Sequence, residues 1–162
     1  MNADAFRHFY NYHFSENHIV WEHVASLSHE QFTQAVDYSH GSVRDQILHL
    51  IDAEQVWFSE LRDVRPLEPP APSAVDDRQA IRAFWDSVEQ NIRAYLIELQ
   101  DDMLFTKPIK EPDEDQVLFV WQVLLHVANH ATDHRAQLLR VLHDLGVETK
   151  SQDYIFYIYE HL

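Results

Sequence analysis

The chain contains no cysteine, so it forms no disulfide and supplies no thiolate, and any metal it binds must be held by His, Asp or Glu. Glycine is nearly as scarce, with 2 in 162 residues, which disfavours a turn-dense all-β fold. No apolar run approaches the roughly 18 residues of a membrane span. Positive charge is also thin: 12 Lys and Arg stand against 27 Asp and Glu, a formal net charge of −15. So acidic a surface repels phosphate backbones and anionic lipid, which argues against nucleic-acid and membrane partners. The first residues, MNADAFRHFYNYHF, lack a basic segment and an uninterrupted apolar stretch, so they do not read as a signal peptide and a cytoplasmic location is expected.

Apolar residues nonetheless make up 46% of the chain, enough for one core at a length typical of one domain. Their spacing is helical. A first helix is read from Ala3 to Ala25, with one further turn at Ser28–Phe32. A second begins at Ser42, whose hydroxyl stands three residues before Asp45 in a capping-box arrangement. It carries Val43, Ile47, Leu48, Ile51, Val56, Phe58 and Leu61. Four prolines between Arg65 and Pro72 make a loop. A third helix starts near Asp76-Asp77, where acids suit the positive end of the helix dipole, and buries a face from Ile81 to Leu99. The stretch Asp101 to Asp115 holds Pro108 and Pro112 and is read as irregular, with a short extended piece at Leu104-Phe105-Thr106. A fourth helix runs from Gln116 to Leu145 and stops at Gly146. The aromatic tail around Tyr154–Tyr159 is expected to pack on the bundle or on a second subunit. The reading is all-α: one four-helix-bundle domain over residues 1–162, with long connections and a short tail.

Histidine is abundant, at 12 residues. The fourth helix contains His126, His130 and His134, each one turn from the next. Residues four apart share a helix face, with Cβ atoms about 6 Å apart, so two imidazoles can reach one ion at ~2.0–2.1 Å. Chance alone supplies roughly one such pair at this histidine content by template counting. Ala131 follows His130, so the HExxH general base is missing. A third ligand must come from another element. His49, mid-helix in Leu48-His49-Leu50-Ile51, is the best candidate, the alternative being a hydrogen-bonded core histidine.

Two segments, Ser42-Val-Arg-Asp-Gln-Ile-Leu-His49-Leu-Ile-Asp-Ala-Glu54-Gln-Val-Trp57 and His126-Val-Ala-Asn-His130-Ala-Thr-Asp-His134-Arg135-Ala-Gln137, resemble the second- and fourth-helix signatures of the DinB/YfiT family. The resemblance spans the chain in order. It implies a four-helix bundle that usually dimerises, and a metal triad at His49, His130 and His134 holding one divalent nickel, zinc or iron ion. Characterised members use low-molecular-weight thiols, as bacillithiol S-transferases and mycothiol-dependent maleylpyruvate isomerases. The chain departs from the pattern at Asp133, where many members have His, and at Ala136, where many have Gly.

Three imidazoles leave coordination positions open, as in catalytic sites. The expected function is metal-dependent transfer of a thiol to a small electrophilic molecule, or its hydrolysis or isomerisation. The alternative is a non-catalytic metal-binding protein of stress physiology. His126 is read as a fourth ligand, a proton shuttle or a packed histidine. Asp45 and Asp52, at i−4 and i+3 from His49, are read either as acceptors orienting its ring or as solvated charge. Glu54 and Arg135 are expected to pair structurally between the second and fourth helices. Tyr10, His13 and Trp21 border the metal face or belong to the core, and Trp57, Trp85 and Trp121 are read as core.

Overall fold

The computed structural model describes residues 1–110 and 114–162. Six α-helices occur among them: α1 (Ala3–Ala25), α2 (His29–Thr33), α3 (Val43–Arg62), α4 (Arg78–Glu98), α5 (Val120–Asp144) and α6 (Tyr154–Glu160), and the described residues contain no strand. Local chemistry sets most of their ends. The Asn2 side chain accepts from Ala5 N–H at 2.9 Å to start α1. Ser42 and Asp45 form a reciprocal capping box on α3, with Ser42 N–H donating to Asp45 Oδ2 at 3.0 Å. Asp77 Oδ1 accepts from Gln79 N–H at 2.8 Å at the start of α4. Gly146, at φ +84°, takes the left-handed conformation that ends α5 without a Cβ clash.

The four long helices close a square. α3 lies against α4 and α5, and α1 lies against the same two, so α1 and α3 face each other across a diagonal. Phe6, Phe14, Ile47, Leu50, Ile51, Ile81, Ile92 and Leu138 fill the interior between them. α2 packs on α3.

Two expectations about the connections change. The segment at Leu104–Thr106 is not extended. Met103–Phe105 forms a 3-10 turn that buries Leu104, and the Thr106 carbonyl accepts from Val120 N–H at 3.1 Å. A lone extended piece would have left its backbone groups without partners. α5 starts at Val120 rather than Gln116, because Phe119 is extended and Gln122 Oε1 turns back to accept its N–H at 2.8 Å. Pro112 lies outside the described residues.

The tail packs on its own bundle. Tyr154 and Tyr157 of α6 meet Tyr12 of α1 edge-on, with centroids at 5.0 and 5.6 Å. The Tyr12 hydroxyl donates to the Gln152 carbonyl, and Gln152 Nε2 donates to the Thr132 carbonyl at 3.2 Å. Among the described residues, no helix is long and apolar enough to cross a membrane.

Candidate metal centre

His49 stands in the second turn of α3, half-buried where this helix packs on α5. His126, His130 and His134 follow one another along α5, and His134 faces His49. Their Nε2 atoms lie 3.3 Å apart. The His130 ring lies beside them, with centroids 5.2 Å from His49 and 4.3 Å from His134, but its donor atoms do not fall within the 4.8 Å group that His49 and His134 form with a further imidazole. That imidazole arrives from the connection between α2 and α3. His40 stacks on His49 with centroids 4.0 Å apart and an 18° interplanar angle. Potential ligand atoms of His40, His49 and His134 all lie within 4.8 Å of one another.

This donor set fits a divalent ion. Two nitrogens on one tetrahedral ion, each at ~2.0–2.1 Å, are about 3.3–3.4 Å apart, which matches the His49–His134 approach. A core histidine held by hydrogen bonds would have both ring nitrogens paired with protein groups. His134 Nδ1 is buried without a hydrogen-bond partner in the protein.

Electrostatics favour the neutral form at His49, His130 and His134. Burial, then the adjacent His40 and His134, lowers the His49 pKa, with Asp52 opposing. Burial, then His134, His49 and His126, pushes His130 down to about 4 despite Asp133. Burial and His40 lower His134. At neutral pH these three rings therefore each have a lone pair to give, and no proton has to be displaced first. An open groove of about 510 Å³ runs alongside, lined by His126, Asn129, His130, Thr132, Asp133 and Ala136.

Other residues singled out in the sequence fall in varied places. His126 is exposed and continues the row of rings, 5.8 Å from His130, with Trp57 edge-on to it at 5.0 Å. Asp52 is exposed and acts on His49 through its charge. Asp45 does not orient His49. Its Oδ2 accepts from the Ser42 hydroxyl at 2.8 Å and its Oδ1 from Arg44 Nε at 2.9 Å, so the helix cap takes one oxygen and Arg44 the other.

Tyr10, His13 and Trp21 do not border the metal face. Tyr10 is buried and its hydroxyl donates to the Leu124 carbonyl at 2.9 Å. Trp21 packs against Trp85 on the α4 side of α1. His13 belongs to a polar cluster at the bundle centre, and that cluster also revises the Glu54–Arg135 pair. The two charges are bridged rather than in direct contact. Arg135 Nη1 donates to Asn17 Oδ1 at 2.8 Å, and Asn17 Nδ2 donates to Glu54 Oε1 at 2.9 Å. In parallel, Arg135 Nη1 lies 3.3 Å from His13 Nδ1, and His13 Nε2 lies 2.9 Å from Glu54 Oε1. A neutral His13 protonated on Nε2 satisfies both contacts, accepting from Arg135 and donating to Glu54. Trp85 Nε1 donates to the second Glu54 oxygen at 3.0 Å, so α1, α3, α4 and α5 all contribute. The pair is bridged because α1, diagonal to α3, carries His13 and Asn17 into the space between them. Burial opposes the Glu54 charge, but His13, Asn17 and Trp85 outweigh it and hold its carboxyl below the usual range. Burial lowers His13, with Glu54 opposing.

The sequence reading missed His40. It sits in a non-helical connection, so no periodicity marks it. The one available signal was its position beside Gly41, one of the chain's 2 glycines, just ahead of the Ser42 cap.

No curated protein sequence matches the chain. A family model does, over residues 1–161, and with that match across the length of the four-helix bundle the chain belongs to the DinB family.

Proposed function

We propose that the protein is a metal-dependent enzyme in which His49, His130 and His134 hold one divalent ion of the nickel, zinc or iron type beside a groove for a small electrophilic substrate. The observation that carries this reading is the 3.3 Å approach of His49 Nε2 and His134 Nε2 from two different helices, with the neighbouring His130 lining the open groove. Held there, a divalent ion supplies Lewis acidity, which ionises a water or a thiol near neutral pH. The protein contributes neutral donors on rigid helices and a wall on one side, where Trp57 backs His126. The groove lining contains Asp133 and no Lys or Arg. That favours a substrate, and any thiol co-substrate, without several carboxylates. Thiol transfer, hydrolysis and isomerisation are each compatible with such a site, in a protein that we place in the cytoplasm as a homodimer.

The second reading is a non-catalytic metal-binding protein. It draws support from His40, which adds an imidazole and so tends to close the site. Metal analysis of tag-free protein tests the common premise. About one equivalent of metal, lost in His49→Ala and in His130→Ala, is expected by analogy with three-ligand catalytic sites. Stoichiometric metal retained in the His49→Ala variant would overturn the ligand set. Turnover of thiol and electrophile by the loaded protein then separates the enzyme from the binding protein.

A further inference from the structure

The connection between α2 and α3 is shaped around His40. Ser39 takes the left-handed conformation at φ +61° and Gly41 does so at φ +70°, so the residues on both sides of His40 reverse the chain. For serine this conformation is uncommon and unfavourable, so neighbours must enforce it. They do. The Ser39 hydroxyl donates to the Gln137 side chain on α5, and Val36 N–H donates to the Gly41 carbonyl at 2.9 Å. A Cβ on Gly41 would stand 2.7 Å from Asp45 Oδ2, so only glycine lets the connection press against the α3 capping box.

We infer that His40 is a fourth protein ligand of the metal centre, carried on a loop and displaceable by a small exogenous donor. The inference rests on the metal-centre reading above. Geometry supports the ligand role: His40 stacks on His49, and its donor atom is within 4.8 Å of those of His49 and His134. Donors sharing one ion lie about 3.3–3.4 Å apart, a difference that rotation of an exposed side chain covers. Displaceability follows from the scaffold. His49, His130 and His134 are fixed on helices, whereas His40 is exposed on a connection and can swing away without unpacking the core. Such a ligand keeps the ion saturated at rest and gives up its position when a thiol or another donor arrives.

The test uses Co(II), whose visible absorption reports ligand number, with the wild-type chain, His40→Ala and His49→Ala. His40→Ala removes an exposed side chain, so folding is not at stake. The expected result is Co(II) affinity at least about tenfold weaker in His40→Ala, with a changed visible spectrum that added imidazole restores. Added imidazole should also bind the Co(II) form of His40→Ala at least about tenfold more tightly than the wild-type form, because no internal ligand competes. An unchanged affinity and spectrum in His40→Ala, with binding lost in His49→Ala, would overturn the His40 assignment and leave the proposed metal centre standing. No Co(II) binding by the wild-type chain would overturn both.

Discussion

Replacing Glu54 with Gln removes one charge from the bundle centre at nearly constant side-chain volume. Glu54 is 1% exposed and accepts from His13, Asn17 and Trp85 at 2.9, 2.9 and 3.0 Å. A carboxamide has one acceptor oxygen. Turned toward His13 and Asn17, that oxygen leaves its NH2 facing the Trp85 indole N–H, two buried donors with no acceptor between them. Such an unmade bond costs about 1–3 kcal/mol. The larger effect falls on Arg135, which is fully buried and loses the only carboxylate that its two bridges reach. Breaking a buried ion pair from one side costs about 3–5 kcal/mol, and here that figure includes the indole. A domain with about 5–15 kcal/mol in total would be visibly weakened. The assay is urea unfolding at neutral pH followed by far-ultraviolet circular dichroism, on metal-free protein. Arg135→Met should lose a similar amount. The double variant should lose less than the sum by about 1–3 kcal/mol, since neither charge is then left alone. A Glu54→Gln variant within about 0.5 kcal/mol of wild type, or strict additivity in the double variant, would refute the bridged pair; the first figure is the usual scatter for uninvolved sites.

Acid should destabilise the metal-free protein in two stages, by a sign that can be worked out. The lowered pKa of His13 means the unfolded chain binds its proton first, so that stability is present above about pH 6.5 and is lost as pH falls below it. The lowered pKa of Glu54 means its contribution is present above the ordinary carboxylate range and is lost as pH falls through its folded pKa. Urea midpoints measured from about pH 7.5 down to about pH 2, so that the scan runs from above the ordinary histidine value to well below the ordinary carboxylate value, check this, and a flat profile contradicts it. Ser42→Ala should cost about 1 kcal/mol through loss of the α3 cap, measured in the same way, and a neutral result would mean the cap is redundant. Gln152→Ala should free the tail from Thr132 and Arg135 and raise amide exchange across α6 while the four long helices stay protected. Unchanged exchange in α6 would show that Tyr12, through its stacking and its hydroxyl bond to the Gln152 carbonyl, holds the tail without the Gln152 side chain.

What could be read from the chain alone was whatever depends on neighbours in sequence. The helices, the Ser42, Asp77 and Gly146 ends, and the row His126, His130, His134 all follow from spacings of three or four residues on one helix. His49 is the best third candidate from the residues, and the family resemblance favours it as a ligand where no local pattern separates it from a core histidine. Asp45 shows the limit of local reading: it is four residues from His49 and three from Ser42, and both roles were open. The cap prevails because Ser42 presents an N–H and a hydroxyl at 3.0 and 2.8 Å to the same oxygen.

Tertiary structure alone decided the rest. Glu54 and Arg135 are bridged because the diagonal of the bundle brings His13 and Asn17 of α1 between α3 and α5. The same packing takes Tyr10 and Trp21 away from the metal face. His40 meets His49 because two left-handed residues and a contact with Gln137 turn the connection back onto the helix. Sequence specifies a side chain's direction where a helix repeats every 3.6 residues. In a connection or across a diagonal no such period exists, and direction is set by whatever the folded chain packs against it.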